Sequence, residues 1–306
     1  MSRAVQFESF GGALVLREVP EPHAGPGQIR VRVAAAGLNP MDWVMTSDAE
    51  TAARFGLSLP CGFGTDYAGV VDEVGAGVTG YATGERVFGG AMSRAVADHV
   101  LIDVDGTIAK GGDAHRTPEG VEDRTAAVLT IGGCTAAAAL AVVRPGPGDT
   151  VLIGGAGGGV GVFAVQLARR AGARVIGTGS AASAEALRAL GAEPVTYGDG
   201  LVERVRALAP GGITAALDLY GAETAHAARA LGVPDERITT IAGVLPGITP
   251  ANGANAAPGA IEEIAGLVAA GALRVPIAAT FPVEQIRAAV ELQSGRHVHG
   301  KVVIDL

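Results

Sequence analysis

Apolar and charged positions alternate across 28–34, with Ile29, Val31 and Val33 on one side and Arg30 and Arg32 on the other. A period of two marks a half-buried strand. Stretches 67–74, 86–88 and 99–102 read as further short strands between glycine-bearing turns, a spacing that suits a twisted, barrel-like antiparallel domain. From about Arg124 the texture changes to apolar-periodic stretches that alternate with short apolar runs. It predicts helices over 124–142, 159–171, 183–190, 200–208 and 222–231, and strands over 150–153, 174–178, 194–196, 214–219 and 237–242. That alternation is α/β with a parallel sheet. The Pro- and Gly-rich stretch 245–258 reads as a loop. The chain closes with a helix over 284–294, a glycine turn and a strand over 301–305. The α/β unit is thus expected as an insertion in a β-rich unit, with a ligand cleft between the two.

One junction carries chemistry: Val151-Leu152-Ile153-Gly154-Gly155-Ala156-Gly157-Gly158-Gly159-Val160-Gly161. A β-branched strand enters a glycine-dense turn, and Val160, Phe163, Ala164, Leu167, Ala168 and Ala171 then share one helical face. Glycine lets the backbone bend sharply and lets a ligand approach it. The helix N-terminus that follows offers unpaired N–H groups and a positive dipole end. The pattern is Ala156-x-Gly158-x-x-Gly161 rather than three glycines, and a second strand arrives at βαβ spacing. Ala156, Gly157, Gly158, Gly159, Val160 and Gly161 are therefore expected to cradle a dinucleotide pyrophosphate. An NAD site would end the second strand on a carboxylate that holds the ribose diol. Gly179 and Ser180 stand there instead, and no carboxylate occurs before Glu185, which favours NADPH. The usual basic partner of a 2′-phosphate is missing too, the first being Arg188. Ser183 suits a phosphate contact or a plain helix N-cap.

With 306 residues the chain can bury a sizeable core in one or two domains. Its net charge of −8 disfavours attraction to nucleic acid or anionic membrane. No charged region followed by an apolar run opens the chain, so no secretory signal is visible and a cytoplasmic location is expected. The apolar stretch 126–143 is broken by Gly132 and Gly133 and reads as a buried helix. Cys61 and Cys134 are the only cysteines, too few for a disulfide framework. Neither HExxH nor CxxC occurs, so no metal site is expected.

Along its length the chain resembles the zinc-independent medium-chain dehydrogenases/reductases of the quinone oxidoreductase type. The segments that carry the resemblance are Ala36-Gly37-Leu38-Asn39-Pro40-Met41-Asp42, Gly64-Thr65-Asp66-Tyr67-Ala68-Gly69-Val70-Val71 and Gly84-Glu85-Arg86-Val87. Gly133-Cys134-Thr135-Ala136, the glycine run, Leu217-Asp218-Leu219-Tyr220-Gly221 and Gly300-Lys301-Val302-Val303 complete them in order. The resemblance implies a GroES-like catalytic domain over 1–123, a Rossmann-type dinucleotide-binding domain over 124–265, and a return to the catalytic domain over 266–306. It also implies NADPH as cofactor, a small carbonyl or quinone substrate, and a homodimer. Zinc-bearing relatives carry a Cys–His–Cys ligand set, and the matching positions here are Asn39, Thr65 and Ile131, which leave no catalytic zinc.

The same likeness places Thr135 and the turn Ala242-Gly243-Val244 near the nicotinamide, Tyr197 against the adenosine 2′-phosphate, and Lys301 near the cofactor or substrate pocket. Each has a plainer reading: Thr135 as a helix residue, Tyr197 as a shield of the sheet edge, Lys301 as a snorkelling strand-end lysine. Hydride transfer to a conjugated carbonyl needs a donor for the developing oxyanion. Asn39 and Tyr67 can donate, and Asp42 can orient neighbours or exchange protons. Here too the plain readings stand beside them: Asn39-Pro40 as a turn, Asp42 as an N-cap, Tyr67 as a core strand residue, Trp43 as core. No obligatory acid is evident, so the proton is expected from water or from the substrate's own hydroxyl. The leading expectation is an NADPH-dependent, zinc-free reductase of quinones, enones or related α,β-unsaturated carbonyls. Its rivals are a natural-product tailoring reductase or cyclisation enzyme on the same scaffold, and a low-turnover NADPH-binding redox-sensing or structural protein.

Overall fold

The alternating stretch at 28–34 opens an eleven-residue strand, Gln28–Leu38, around which one half of the molecule is organised. Along one edge it pairs antiparallel with Asp66–Val74. Its other edge is shared: residues 28–32 take His99–Asp103, and residues 35–38 take Lys301–Asp305, both antiparallel. The sheet continues through Arg86–Gly90 to His115–Arg116 on one side and through Ile277–Pro282 on the other. The last pair, Ile277–Pro282 with Lys301–Asp305, is parallel, an exception to the antiparallel expectation. A second, three-stranded sheet of Val15–Val19, Ser2–Phe7 and Cys61–Gly62 completes the strands of this unit.

The computed structural model describes residues 1–306 and divides into two units, Met1–Ile131 with Ile277–Leu306, and Gly132–Pro276. The division falls at Ile131/Gly132 and Pro276/Ile277 rather than at 123/124 and 265/266. The expected helix over 124–142 is two helices, Asp123–Ala126 and Thr130–Val143. The irregular residues between them approach Gly37 so closely that a Cβ there would collide with the Ala127 carbonyl oxygen, which ties residues 123–131 to the first unit. At the other boundary, helix Ala260–Ala269 belongs to the second unit: its Ile261 and Ile264 lie against Gly133.

The second unit holds six strands, all parallel, in the order Glu193–Thr196, Arg174–Gly179, Thr150–Gly154, Ala215–Asp218, Ile238–Thr240, Thr249–Pro250. Counted along the chain this is the 3-2-1-4-5-6 order of a doubly wound dinucleotide sheet, whose ligand crevice lies beyond the carboxyl ends of the strands beside the first one. The stretch 245–258 is more ordered than a loop: Thr249–Pro250 adds the sixth strand and Gly253–Asn255 makes a 3-10 turn. The core of this unit is built from small and branched residues, among them Leu152, Ile176, Val205, Ala216, Ala228 and Ile238. No helix in the chain is long and apolar enough to cross a membrane.

Candidate active site

In the first unit, the strand Gln28–Leu38 ends where Asn39 caps the short helix Pro40–Val44 in extended conformation. Asp42, the third residue of that helix, reaches back and accepts the Asn39 main-chain N–H at 2.8 Å, while its own N–H donates to the Asn39 carbonyl at 3.0 Å. Asp42 is thus the returning partner of the cap, not the cap itself. Its other carboxylate oxygen accepts the Thr65 hydroxyl at 2.6 Å. Because Val302 pairs with Leu38, the neighbouring Lys301 comes beside Asn39. Its ammonium donates to Asn39 Oδ1 at 2.6 Å and lies 3.8 Å from Asp66 Oδ2. Asp66 accepts Asn39 Nδ2 at 2.9 Å on Oδ2 and the Ile131 main-chain N–H at 3.1 Å on Oδ1.

Asn39, Asp42, Thr65, Asp66 and Lys301 are all at least 98 % buried, so this is one ammonium and two carboxylates out of water. Burial raises a carboxylate, because desolvation penalises the charged form. It pushes Asp42 up to about 7, against the lowering by the Thr65 and Asn39 donors. Asp66 rises to about 6, held back chiefly by the nearby Lys301. Burial also pushes Lys301 down from the usual lysine range, opposed by Asp66 and Asp42.

The structure brings Asn39, Asp42 and Lys301 together. Tyr67 it turns away: on the strand Asp66–Val74 it points to the opposite face from Asp66. There it packs among Ile29, Val31, Val33 and Val71, and its hydroxyl donates to the Asp113 carbonyl at 2.8 Å. Burial raises that phenol well above its ordinary range. Trp43 packs on the apolar cluster of Phe7, Leu38 and Val302 and donates to Gln293.

In the second unit, the glycine turn divides its labour. Gly155 takes a left-handed φ of +66°, which makes the sharp bend. A Cβ on Gly161 would collide with the carbonyls of Gly155 and Ala156, so Gly161 lets the helix Gly161–Arg170 close down on the turn. A Cβ on Gly158 would meet only the Gly155 oxygen, at 3.3 Å. Ala156, fully buried, packs against Gly177 of the next strand. Room beside Gly158, at a helix N-terminus, fits a pyrophosphate.

The strand Arg174–Gly179 runs out at Ser180, whose carbonyl accepts the Ser183 hydroxyl at 2.8 Å. Ser183 is 99 % buried and makes no side-chain cap. Tyr197 is half exposed, on a turn whose carbonyls at Thr196, Tyr197, Gly198 and Asp199 all accept from Arg204. Glu223 accepts the Gly198 N–H at 2.7 Å. Thr135, on the helix Thr130–Val143, has its hydroxyl beside Gly253. Ala242, Gly243 and Val244 are exposed, and the Ala242 N–H donates to Thr240 Oγ1. Lys301 belongs to the first unit with Asn39, while these residues and the glycine turn share the second.

Sequence reasoning gave no role to Asp66, Arg204 or Asp218. Asp218 is buried and accepts the N–H groups of Tyr220, Gly221 and Ala225, pinning the turn after its strand. A signal for the first was available: an aspartate opening an apolar strand, and one of only two lysines opening another.

Residues 25–109 match the alcohol dehydrogenase GroES-like domain, and residues 190–304 match the zinc-binding dehydrogenase domain. Over 188 residues, 59 % of the chain, it is 42 % identical to the spectinabilin polyketide synthase system protein NorB of Streptomyces orinoci, of which the match covers 8 %. Over 183 residues, 58 % of the chain, it is 34 % identical to the quinone oxidoreductase of Rattus norvegicus, of which the match covers 53 %. The chain therefore spans a small part of the first protein and about half of the second. Among solved structures, the quinone oxidoreductase from Coxiella burnetii superposes with a TM-score of 0.87 at 28 % identity, covering 100 % of this chain and 99 % of that one. The CurK enoyl reductase gives 0.86 at 25 % identity, with 99 % of each covered. Zinc does not fit the residues present. At Asn39, Thr65 and Ile131, where the resemblance places the ligands, stand an amide, a hydroxyl and an isoleucine, and the ammonium of Lys301 is hydrogen-bonded to the first.

Proposed function

This chain belongs to the medium-chain dehydrogenase/reductase family, of the quinone oxidoreductase type, and from that premise we propose that it is an NADPH-dependent, zinc-free reductase of quinones, enones or related α,β-unsaturated carbonyls. The observation that carries the cofactor half of this reading is the glycine turn, where the bend and the helix contact each require a glycine and the remaining space lies beside Gly158. Ala156 to Gly161 would hold the pyrophosphate, Gly179, Ser180 and Tyr197 the 2′-phosphoadenosine end, and Thr135 with Ala242, Gly243 and Val244 the nicotinamide. Bound there, the cofactor supplies a hydride. The preference for NADPH rests on the strand end at Gly179–Ser180, which offers two small residues and no carboxylate.

The protein's own part is to orient the acceptor and stabilise charge on its oxygen. Hydride added to the β-carbon of an enone sends the π electrons to the carbonyl oxygen, where a preorganised donor lowers the barrier. Asn39 is that donor, and Asp42, protonated in part near neutrality, fixes its main chain. The α-carbon then takes its proton from water, or a quinolate oxygen from its surroundings.

The similarity to a polyketide synthase protein and to the CurK enoyl reductase favours a second reading, reduction or cyclisation of an enoyl intermediate in natural-product assembly. One assay addresses both. NADPH and NADH oxidation is followed with a panel of quinones, small enones and enoyl thioesters, alongside NADPH affinity of the wild type and of Gly158→Asp. We expect turnover with NADPH above NADH, and loss of affinity in the variant without loss of fold, because the new Cβ would crowd a single atom, the Gly155 carbonyl oxygen at 3.3 Å, which needs to give by only a few tenths of an ångström. NADPH binding without turnover of any acceptor would leave a low-turnover binding protein and defeat the reductase reading. Retained affinity in Gly158→Asp would defeat the cofactor placement.

A further inference from the structure

We propose that Lys301 and Asp66 are positioning residues that lock the side-chain amide of Asn39 in one orientation and reserve a single Nδ2 hydrogen for a substrate carbonyl oxygen. The reductase reading enters only in what that hydrogen meets; the lock itself lies wholly within the first unit.

The argument is a count of donors and acceptors. An asparagine side chain offers one acceptor oxygen and two N–H donors. Lys301, an ammonium, can only donate, and it sits 2.6 Å from Oδ1. Asp66, when ionised, can only accept, and it takes one hydrogen of Nδ2 at 2.9 Å. Rotating the amide by half a turn would set NH₂ against ammonium and oxygen against carboxylate, losing both bonds and creating two repulsions among side chains at least 98 % buried. The orientation is therefore fixed by chemistry. The main-chain N–H and carbonyl of Asn39 are both committed to Asp42. One polar hydrogen of the residue is left over, the second on Nδ2.

Charge adds to the geometry. The ammonium against Oδ1 draws electron density out of the amide and strengthens that hydrogen as a donor to a forming oxyanion. Asp66 is itself held by the Ile131 N–H, so the carboxylate does not swing with the amide. Lys301 is held in turn as the first residue of a strand whose next four residues pair on both sides.

The test uses the full chain. Lys301→Met keeps the length of the side chain and removes the donor. Since it strands the Asp66 charge, Lys301→Met/Asp66→Asn, which removes both charges together, is the companion variant less exposed to misfolding. In ¹⁵N-labelled protein the Asn39 amide pair is assigned by its disappearance in Asn39→Ala. We expect the Nδ2 hydrogen that Asp66 accepts to exchange more slowly than its partner in the wild type, and the difference to disappear in Lys301→Met/Asp66→Asn, where no carboxylate holds it. An unchanged difference in the double variant overturns the proposal. With NADPH and an acceptor the wild type turns over, we expect kcat to fall about 10- to 100-fold, in line with the cost of misplacing a reacting group, while NADPH affinity holds. Adding Lys301→Met to Asn39→Ala should then cost nothing more, whereas losses that multiply would show that Lys301 acts independently of Asn39 and overturn the proposal. Were the wild type to turn over no acceptor, the reductase reading would fall, and the exchange comparison would still decide the lock.

Discussion

Asp42 shows how a single residue escapes the reading its sequence context invites. Beside Asn39-Pro40 it looks like a helix cap; buried, it becomes a group that titrates near neutrality. Folded, Asp42 releases its proton at about 7, against 3.8 in its ordinary setting. Between those values the folded chain binds one more proton than the unfolded chain, so stability is greatest at the acid end and falls as pH rises. The slope is about 1.4 kcal/mol per pH unit for one proton, and it ends once Asp42 ionises in both states. Asp66 acts with the same sign but only up to about 6. Above about pH 6 the contribution of Asp42 outlasts that of Asp66, and the Asp42→Asn variant separates it from every other group. Urea unfolding from about pH 6 to 7 should show wild-type stability falling with pH, and Asp42→Asn, which keeps an acceptor for the Asn39 N–H, should flatten the slope. Equal slopes in the two proteins would contradict this account. The glycines of the turn were legible residue by residue, since φ and close approach are local demands. Asp66 and Lys301 were not, since their meaning depends on partners 27 and 262 residues from them in the chain.

At the scale of elements, periodicity located the first five strands of the parallel sheet and the helices between them to within a residue or two, because each is amphipathic or fully apolar over its whole length; it missed the sixth strand, Thr249–Pro250. It failed where the determinant was a neighbour. Helix 124–142 reads as one segment despite Gly132 and Gly133, yet it breaks before Thr130 where the chain passes over Gly37. The opening hairpin Ser2–Phe7 with Val15–Val19 went unread because charged residues interrupt its alternation. The turn after Glu193–Thr196 is another element set by a distant group: Arg204, from the next helix, satisfies four successive carbonyls and so presents Tyr197. Arg204→Met should leave the sheet intact, speed amide exchange across residues 196–200, and weaken NADPH binding several-fold with little change for adenosine. Unaltered exchange would mean that the turn holds its shape without the guanidinium.

For the whole molecule, connectivity distinguishes the two units. The second is one continuous segment with its own apolar core, whereas the first needs both chain ends, because Lys301–Asp305 lies between Gln28–Leu38 and Ile277–Pro282 in its sheet. A fragment of residues 132–276 should therefore fold alone, with a cooperative thermal transition and NADPH affinity, while residues 1–131 should not, having an unpaired edge on Gln28–Leu38. A fragment 132–276 without cooperative unfolding would refute the independence of its core.

The sequence by itself determined the parallel sheet, the glycine turn at its first strand and the β-rich unit around it, because these follow from hydrophobic period and from backbone freedom, which are local properties of the chain. Only the tertiary structure decided that Asn39, Asp42, Thr65, Asp66 and Lys301 form one buried network and that Tyr67 faces a core. Those facts depend on strand register and desolvation, and both are fixed only when segments distant in sequence pair and exclude water.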